Sequence, residues 1–139
     1  MRREKGISLI EVLVTLLVTS IGLLGIAAMQ AKSLQFNHGA YLRSQANILA
    51  YDMADRMRLN RDAARAGQYN LALSAGKPTA SNIVTTDQNQ WLTLIESVLP
   101  AGDASVSCAS NICTLTIQWQ EAGRNADDSF DSFTYKTQI

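Results

Sequence analysis

The chain has 139 residues, room for one modest domain. Twelve basic and twelve acidic residues cancel to a formal net charge of +0, which speaks against a nucleic-acid binder and its basic excess. A hydrophobic share of 47% speaks against disorder.

The chain opens on Met1–Gly6, where Arg2, Arg3 and Lys5 face a single acid, Glu4. Between Ile7 and Ala31, 17 of 25 positions are apolar and the only charge is Glu11. As a helix this run reaches roughly 38 Å, past the ~30 Å hydrocarbon core of a bilayer. The basic residues ahead of it predict a cytoplasmic N-terminus, with the rest of the chain across the membrane. A secretory signal peptide shares that polarity, and Ala27 and Ala28 offer a cleavage point. The length of the run and the presence of Glu11 count against it. A carboxylate deep in a bilayer costs about 2.5–3.5 kcal/mol, and less near the interface. Two readings of Glu11 follow. It snorkels to the headgroups beside the positive end of the helix dipole, or it meets a cation, and an α-amino group on a helix starting near Ile7 is one turn away.

The octapeptide Lys5-Gly6-Ile7-Ser8-Leu9-Ile10-Glu11-Val12 resembles the class III signal of type IV pilins and pseudopilins. The resemblance implies cleavage between Gly6 and Ile7 by a prepilin peptidase, followed by N-methylation of Ile7. It places an acid at the fifth mature position, where Glu11 stands, as a residue of subunit register and assembly. It also implies an inner-membrane anchor and, as partners, other minor and major pilins and a pilus assembly platform. One departure stands out: many major pilins carry a proline in this helix, and here the first proline is Pro78. Gly22 and Gly25 are the helix-weakening residues instead, by roughly 1 kcal/mol each relative to alanine.

From Lys32 to Ala66 there is no proline and one glycine, Gly39. Leu34, Tyr41, Leu42, Ile48, Leu49, Met53 and Met57 fall at spacings mostly of four and seven, which predicts one helical stripe with the arginines largely off it. Continuity from about Ile7 to Ala66 gives a rod of roughly 90 Å with Gly39 as its candidate bend and Gly67 as its stop. The segment Tyr41–Arg61, with Tyr51-Asp52-Met53-Ala54-Asp55-Arg56-Met57-Arg58 at its centre, is similar to PilV-type minor pilins (type IV pilus modification proteins). Read from the residues alone, Asp52 and Arg56 form a solvated i,i+4 pair worth a few tenths of a kcal/mol.

Residues 67–86 are small and polar and read as a loop. Asp87 is the candidate cap of a short helix through Val98, with Trp91, Leu92, Ile95 and Leu99 on one face and Pro100-Ala101-Gly102 ending it. Three strands are expected at Ala104–Cys108, Cys113–Gln120 and Ser129–Gln138. Leu115, Ile117 and Trp119 share one face of the second, and Phe133 and Tyr135 follow a similar pattern. Reversals at Ala109–Ile112 and Ala122–Asp128 make them an antiparallel meander. Cys108 and Cys113 are the only cysteines. In an oxidising compartment they favour a disulfide over a redox pair, since the spacing is not C-x-x-C.

Catalytic and metal signatures are sparse. His38 is the only histidine, and neither a phosphate loop nor a nucleophile elbow is present. Asp127, Asp128 and Asp131 offer carboxylates for calcium at a spacing that fits no standard loop, so a solvated turn is favoured. Neither an enzyme nor a cofactor is expected. The expected architecture is α+β: a leader at 1–6, a transmembrane helix at 7–31, its amphipathic continuation at 32–66, and a periplasmic head at 67–139. The expected function is that of a minor pilin in type IV pilus assembly, and through it adhesion and twitching motility. The alternatives are a pseudopilin of a type II secretion system, or a soluble secreted binding module released after Ala28.

Overall fold

Ser8 turns the chain into its first helix, its carbonyl accepting the N–H groups of Glu11 at 3.0 Å and Val12 at 3.2 Å. The structure, a computed structural model, describes residues 6–109, 111–121 and 130–139. Helix α1 spans Leu9–Leu59. Three hydroxyls in its apolar stretch are settled on its own backbone. The Thr15 hydroxyl donates to the Val12 carbonyl at 2.8 Å, Thr19 to Thr15 at 2.7 Å, and Ser20 to Leu16 at 2.7 Å. Two compact units form, Met1–Asn37 and His38–Ile139, and α1 contributes to both.

The helix stops earlier than Ala66. Asn60 leaves helical geometry (φ −119°, ψ 53°), and a separate short helix, α2, follows at Arg61–Arg65. Gly67 does end the helical run, at φ +73°, a left-handed conformation that costs glycine nothing. At Gly39 the helix continues, and the glycine has another reason: a Cβ there would run into the Glu121 carboxylate.

The expected apolar stripe divides in two. Leu42, Leu49, Met53 and Met57 are buried together with Ala46, Ala50 and Ala54, whereas Leu34, Tyr41 and Ile48 are exposed. Alanines complete the i, i+3, i+4 pattern and let neighbouring elements approach the helix closely.

Helix α3 spans Ile83–Val98, its cap five residues ahead of the one expected at Asp87. Its cap is Asn82, whose side chain accepts from Thr85 N–H at 2.9 Å while the Thr85 hydroxyl reaches back to the Asn82 N–H at 3.1 Å. This is a capping box with threonine in place of the usual acid. Asp87 lies inside the helix and is buried. Trp91, Leu92, Ile95 and Leu99 face the core, and the Trp91 indole N–H donates to the Leu49 carbonyl of α1 at 2.8 Å.

Strands β1 (Asp103–Ala109), β2 (Ile112–Gln120) and β3 (Phe130–Gln138) form one antiparallel sheet in the order β1-β2-β3. The meander matches expectation. Its first reversal falls between Ala109 and Ile112, and the second lies outside the described residues, as does Ser129. Leu115, Ile117 and Trp119 are fully buried, and Phe133 and Tyr135 pack half-exposed beside them. The core of the head joins this face of the sheet, the 42–57 stripe of α1 and the Trp91 face of α3. The architecture is α+β, a long apolar N-terminal helix with a small three-stranded antiparallel sheet.

Candidate processing and assembly site

Gly6 and Ile7 precede α1 in non-helical, exposed chain, Ile7 at 77% exposure. The expected scissile bond thus lies outside the helix. Leu9 starts the helix and Glu11 sits in its first turn, beside the free N–H groups and the positive end of the dipole. Ser8 and Glu11 also stand at the spacing of a capping box. The local fold therefore gives Glu11 a favourable position within its own chain. Through the apolar stretch that follows, α1 is long and apolar enough to cross a membrane, and none of that window is buried.

A second set of residues converges in the head, and here the sequence reading of Asp52 and Arg56 needs correction. Arg56 does bond Asp52, Nε to Oδ2 at 3.0 Å, but its Nη1 also reaches Asp87 Oδ1 at 3.2 Å and Gln90 Oε1 at 2.9 Å on α3. The other Asp87 oxygen accepts from the Tyr69 hydroxyl at 2.7 Å, and Asn60 Nδ2 donates to that hydroxyl at 3.3 Å. Gln88 Nε2 donates to the Tyr69 carbonyl at 3.0 Å. This network ties α1, the segment after α2, and α3 together, and every buried polar group in it has a partner. It is a clamp, not a solvated pair. The signal that would have found it was the paired Asp87-Gln88 on a helix face otherwise lined by Trp91 and Ile95.

Burial, reinforced by the hydrogen bond to Asp87, pushes the Tyr69 phenol up to about 12. The folded chain thus holds this proton more tightly than the unfolded chain, where tyrosine sits near 10. The stability gained is whole below pH 10 and is lost as pH rises from 10 through 12, to a total of about 2–3 kcal/mol. Tyr69→Phe is expected to remove this step. Denaturant titrations between pH 9 and pH 12 check it: equal pH slopes for the variant and the wild type would refute the assignment.

Cys108 and Cys113 sit directly opposite one another on β1 and β2 and are joined as a disulfide, with Cα atoms 4.0 Å apart. The link spans the mouth of the β1–β2 hairpin. Closing so short a loop contributes about 2 kcal/mol on the chain-entropy model. Replacing both cysteines with serine is expected to lower stability by that amount and leave the sheet register unchanged. Two free thiols in unreduced periplasmic protein would count against the pairing.

Among the described residues no three or more metal-ligating side chains gather. Asp127 and Asp128 lie outside those residues. Asp131 faces Arg43 at 3.7 Å.

A family model, the prokaryotic N-terminal methylation motif, matches residues 1–27. Together with the α+β architecture, the motif supports a protein of the type IV pilin and pseudopilin kind. That kind is structural, consistent with a non-enzymatic, membrane-anchored subunit that associates with other components of a pilus or secretion assembly. No curated protein and no solved structure matches the chain.

Proposed function

We propose that the chain is a minor pilin, a non-enzymatic subunit of a type IV pilus or of the complex that initiates it, of the PilV type that its 41–61 segment resembles. The observation that carries this reading is the methylation motif over residues 1–27 at the head of an exposed apolar helix. In this account a prepilin peptidase cuts between Gly6 and Ile7, and Ile7 is N-methylated. The helix anchors the subunit in the inner membrane, and the disulfide-bonded head lies in the periplasm. Assembly then moves the apolar face of α1 from lipid into contact with other minor and major pilins at the assembly platform. Adhesion and twitching motility follow from the filament, not from chemistry within the chain.

Processing provides the test. Mature protein is expected to begin at methylated Ile7, and Gly6→Leu is expected to leave a precursor six residues longer in the membrane. Mature protein that still begins at Ile7 in that variant would refute it. A mature chain beginning after Ala28 would instead mark a secreted binding module. Loss of pili on deletion supports the pilus, whereas loss of secretion with pili intact would assign the chain to a type II secretion system.

A further inference from the structure

The apolar stretch of α1 is bracketed by two charges. Glu11 stands at its start and Lys32 at its end, and the twenty residues between them carry no charge. Along a helix the two positions are about 32 Å apart, which at a tilt of about 20° spans the ~30 Å hydrocarbon core of a bilayer. With Glu11 in one headgroup layer, Lys32 falls in the other.

The Lys32 side chain points as a group at that boundary must. On an α-helix every Cα–Cβ bond leans toward the N-terminus, here toward the apolar run. The Lys32 ammonium goes the other way: it lies over the ring of Phe36, one turn further from the run, 5.7 Å from its centroid. This direction takes a lysine head out of hydrocarbon while its stem stays against apolar surface. The face of the ring attracts the ammonium and holds it there. Lys32 and Phe36 are both exposed, and among the described residues no carboxylate pairs with the ammonium. The next lysine or arginine along the chain, Arg43, differs in having one, Asp131.

We propose that Lys32 and Phe36 form a lipid-binding anchor, with the ammonium seated among the phosphates of the periplasmic leaflet, and that this anchor sets how deep α1 sits. The inference rests on the membrane reading of α1 given above. A lipid phosphate is the anion present at that height, and it supplies the counter-charge that the chain does not. Phe36, about 6 Å further along the axis, still lies within the headgroup layer. Between Lys32 and Phe36 stand only Ser33, Leu34 and Gln35, none of them charged. A helix without the ammonium therefore slides inward and takes Leu34 and Phe36 into hydrocarbon. The same stop keeps Glu11 at the cytoplasmic headgroups.

Labelling of single cysteines in the full chain by a membrane-impermeant maleimide, applied to spheroplasts, reads the depth. Ser33→Cys is expected to react readily and Leu23→Cys, at mid-span, to be protected. Adding Lys32→Leu should slow labelling at Ser33→Cys at least about fivefold, whereas adding Lys32→Arg should leave it within about twofold. Undiminished labelling with Lys32→Leu would overturn the anchor and leave the membrane reading standing. Equal labelling at the two cysteines would overturn the membrane reading and the anchor with it. Contact with lipid is read by nitrogen–phosphorus dipolar dephasing of lysine-labelled protein in vesicles of phosphatidylethanolamine and phosphatidylglycerol. A dephased ammonium signal that Lys32→Gln removes is expected. Dephasing that Lys32→Gln leaves unchanged would place the ammonium in water, not on phosphate, and overturn the proposal.

Discussion

Glu11→Leu is expected to insert and be cleaved normally and yet be scarce in sheared pili. Within one chain the carboxylate gains little, because it sits exposed in the first turn of α1, where water and headgroups solvate it. In the proposed account, cleavage after Gly6 creates an α-amino group on Ile7, and a neighbouring subunit would bring that cation to Glu11 away from water. Removing one member of such a buried pair typically costs about 3–5 kcal/mol, since the other charge is left uncompensated. Even a third of that lowers recruitment about tenfold. A smooth apolar helix has no other device for choosing its axial register. Recovery of the variant in pili at wild-type levels would return Glu11 to the role of a tolerated interfacial charge.

Asp87→Ala is expected to be the most damaging single change in the head. Both oxygens of Asp87 are engaged, one by Tyr69 and one by Arg56. Its loss leaves a buried phenol without an acceptor and Arg56 without its least exposed partner, at about 3–4 kcal/mol. For a unit of this size that is a drop in Tm of roughly 10–20 °C. Asp52 bonds the same arginine but is more exposed, its side chain 39% accessible against 13% for Asp87, so Asp52→Ala should cost less than about 1 kcal/mol. Thermal melts of the full chain in detergent separate the two. Similar losses for both would show that the arginine, not Asp87, organises the clamp.

Much of this architecture was legible in the sequence because its signals are local. The alternation of Leu115, Ile117 and Trp119 names the inner face of β2 without reference to anything distant, and the density of apolar residues between Ile7 and Ala31 names the anchor. Gly6, Ile7 and Glu11 stand out through the likeness of the 5–12 octapeptide to a pilin signal, which is local too. What escaped depends on partners remote in the chain. Tyr41 and Ile48 have the same hydropathy and spacing as Leu42 and Leu49, and only the position of α3 and the sheet decides which pair is covered. Asp87 invited a reading as a cap because acids are common there, and Asn82 with Thr85 made a tighter one five residues upstream. The pairing of Leu71 with Val106 joins residues of unremarkable type across 35 positions, and no periodicity announces it.

The hydroxyls of Thr15, Thr19 and Ser20 bear on how the anchor changes phase. Each already gives its proton to a carbonyl of its own helix, so none must find a new partner when the surroundings change. A segment arranged in this way is nearly indifferent to whether acyl chains or other helices surround it. Its extraction from a bilayer is then governed by contact area, with one polar exception. That exception is Glu11, the one charge between Ile7 and Ala31, which must find a cation wherever it is drawn away from water.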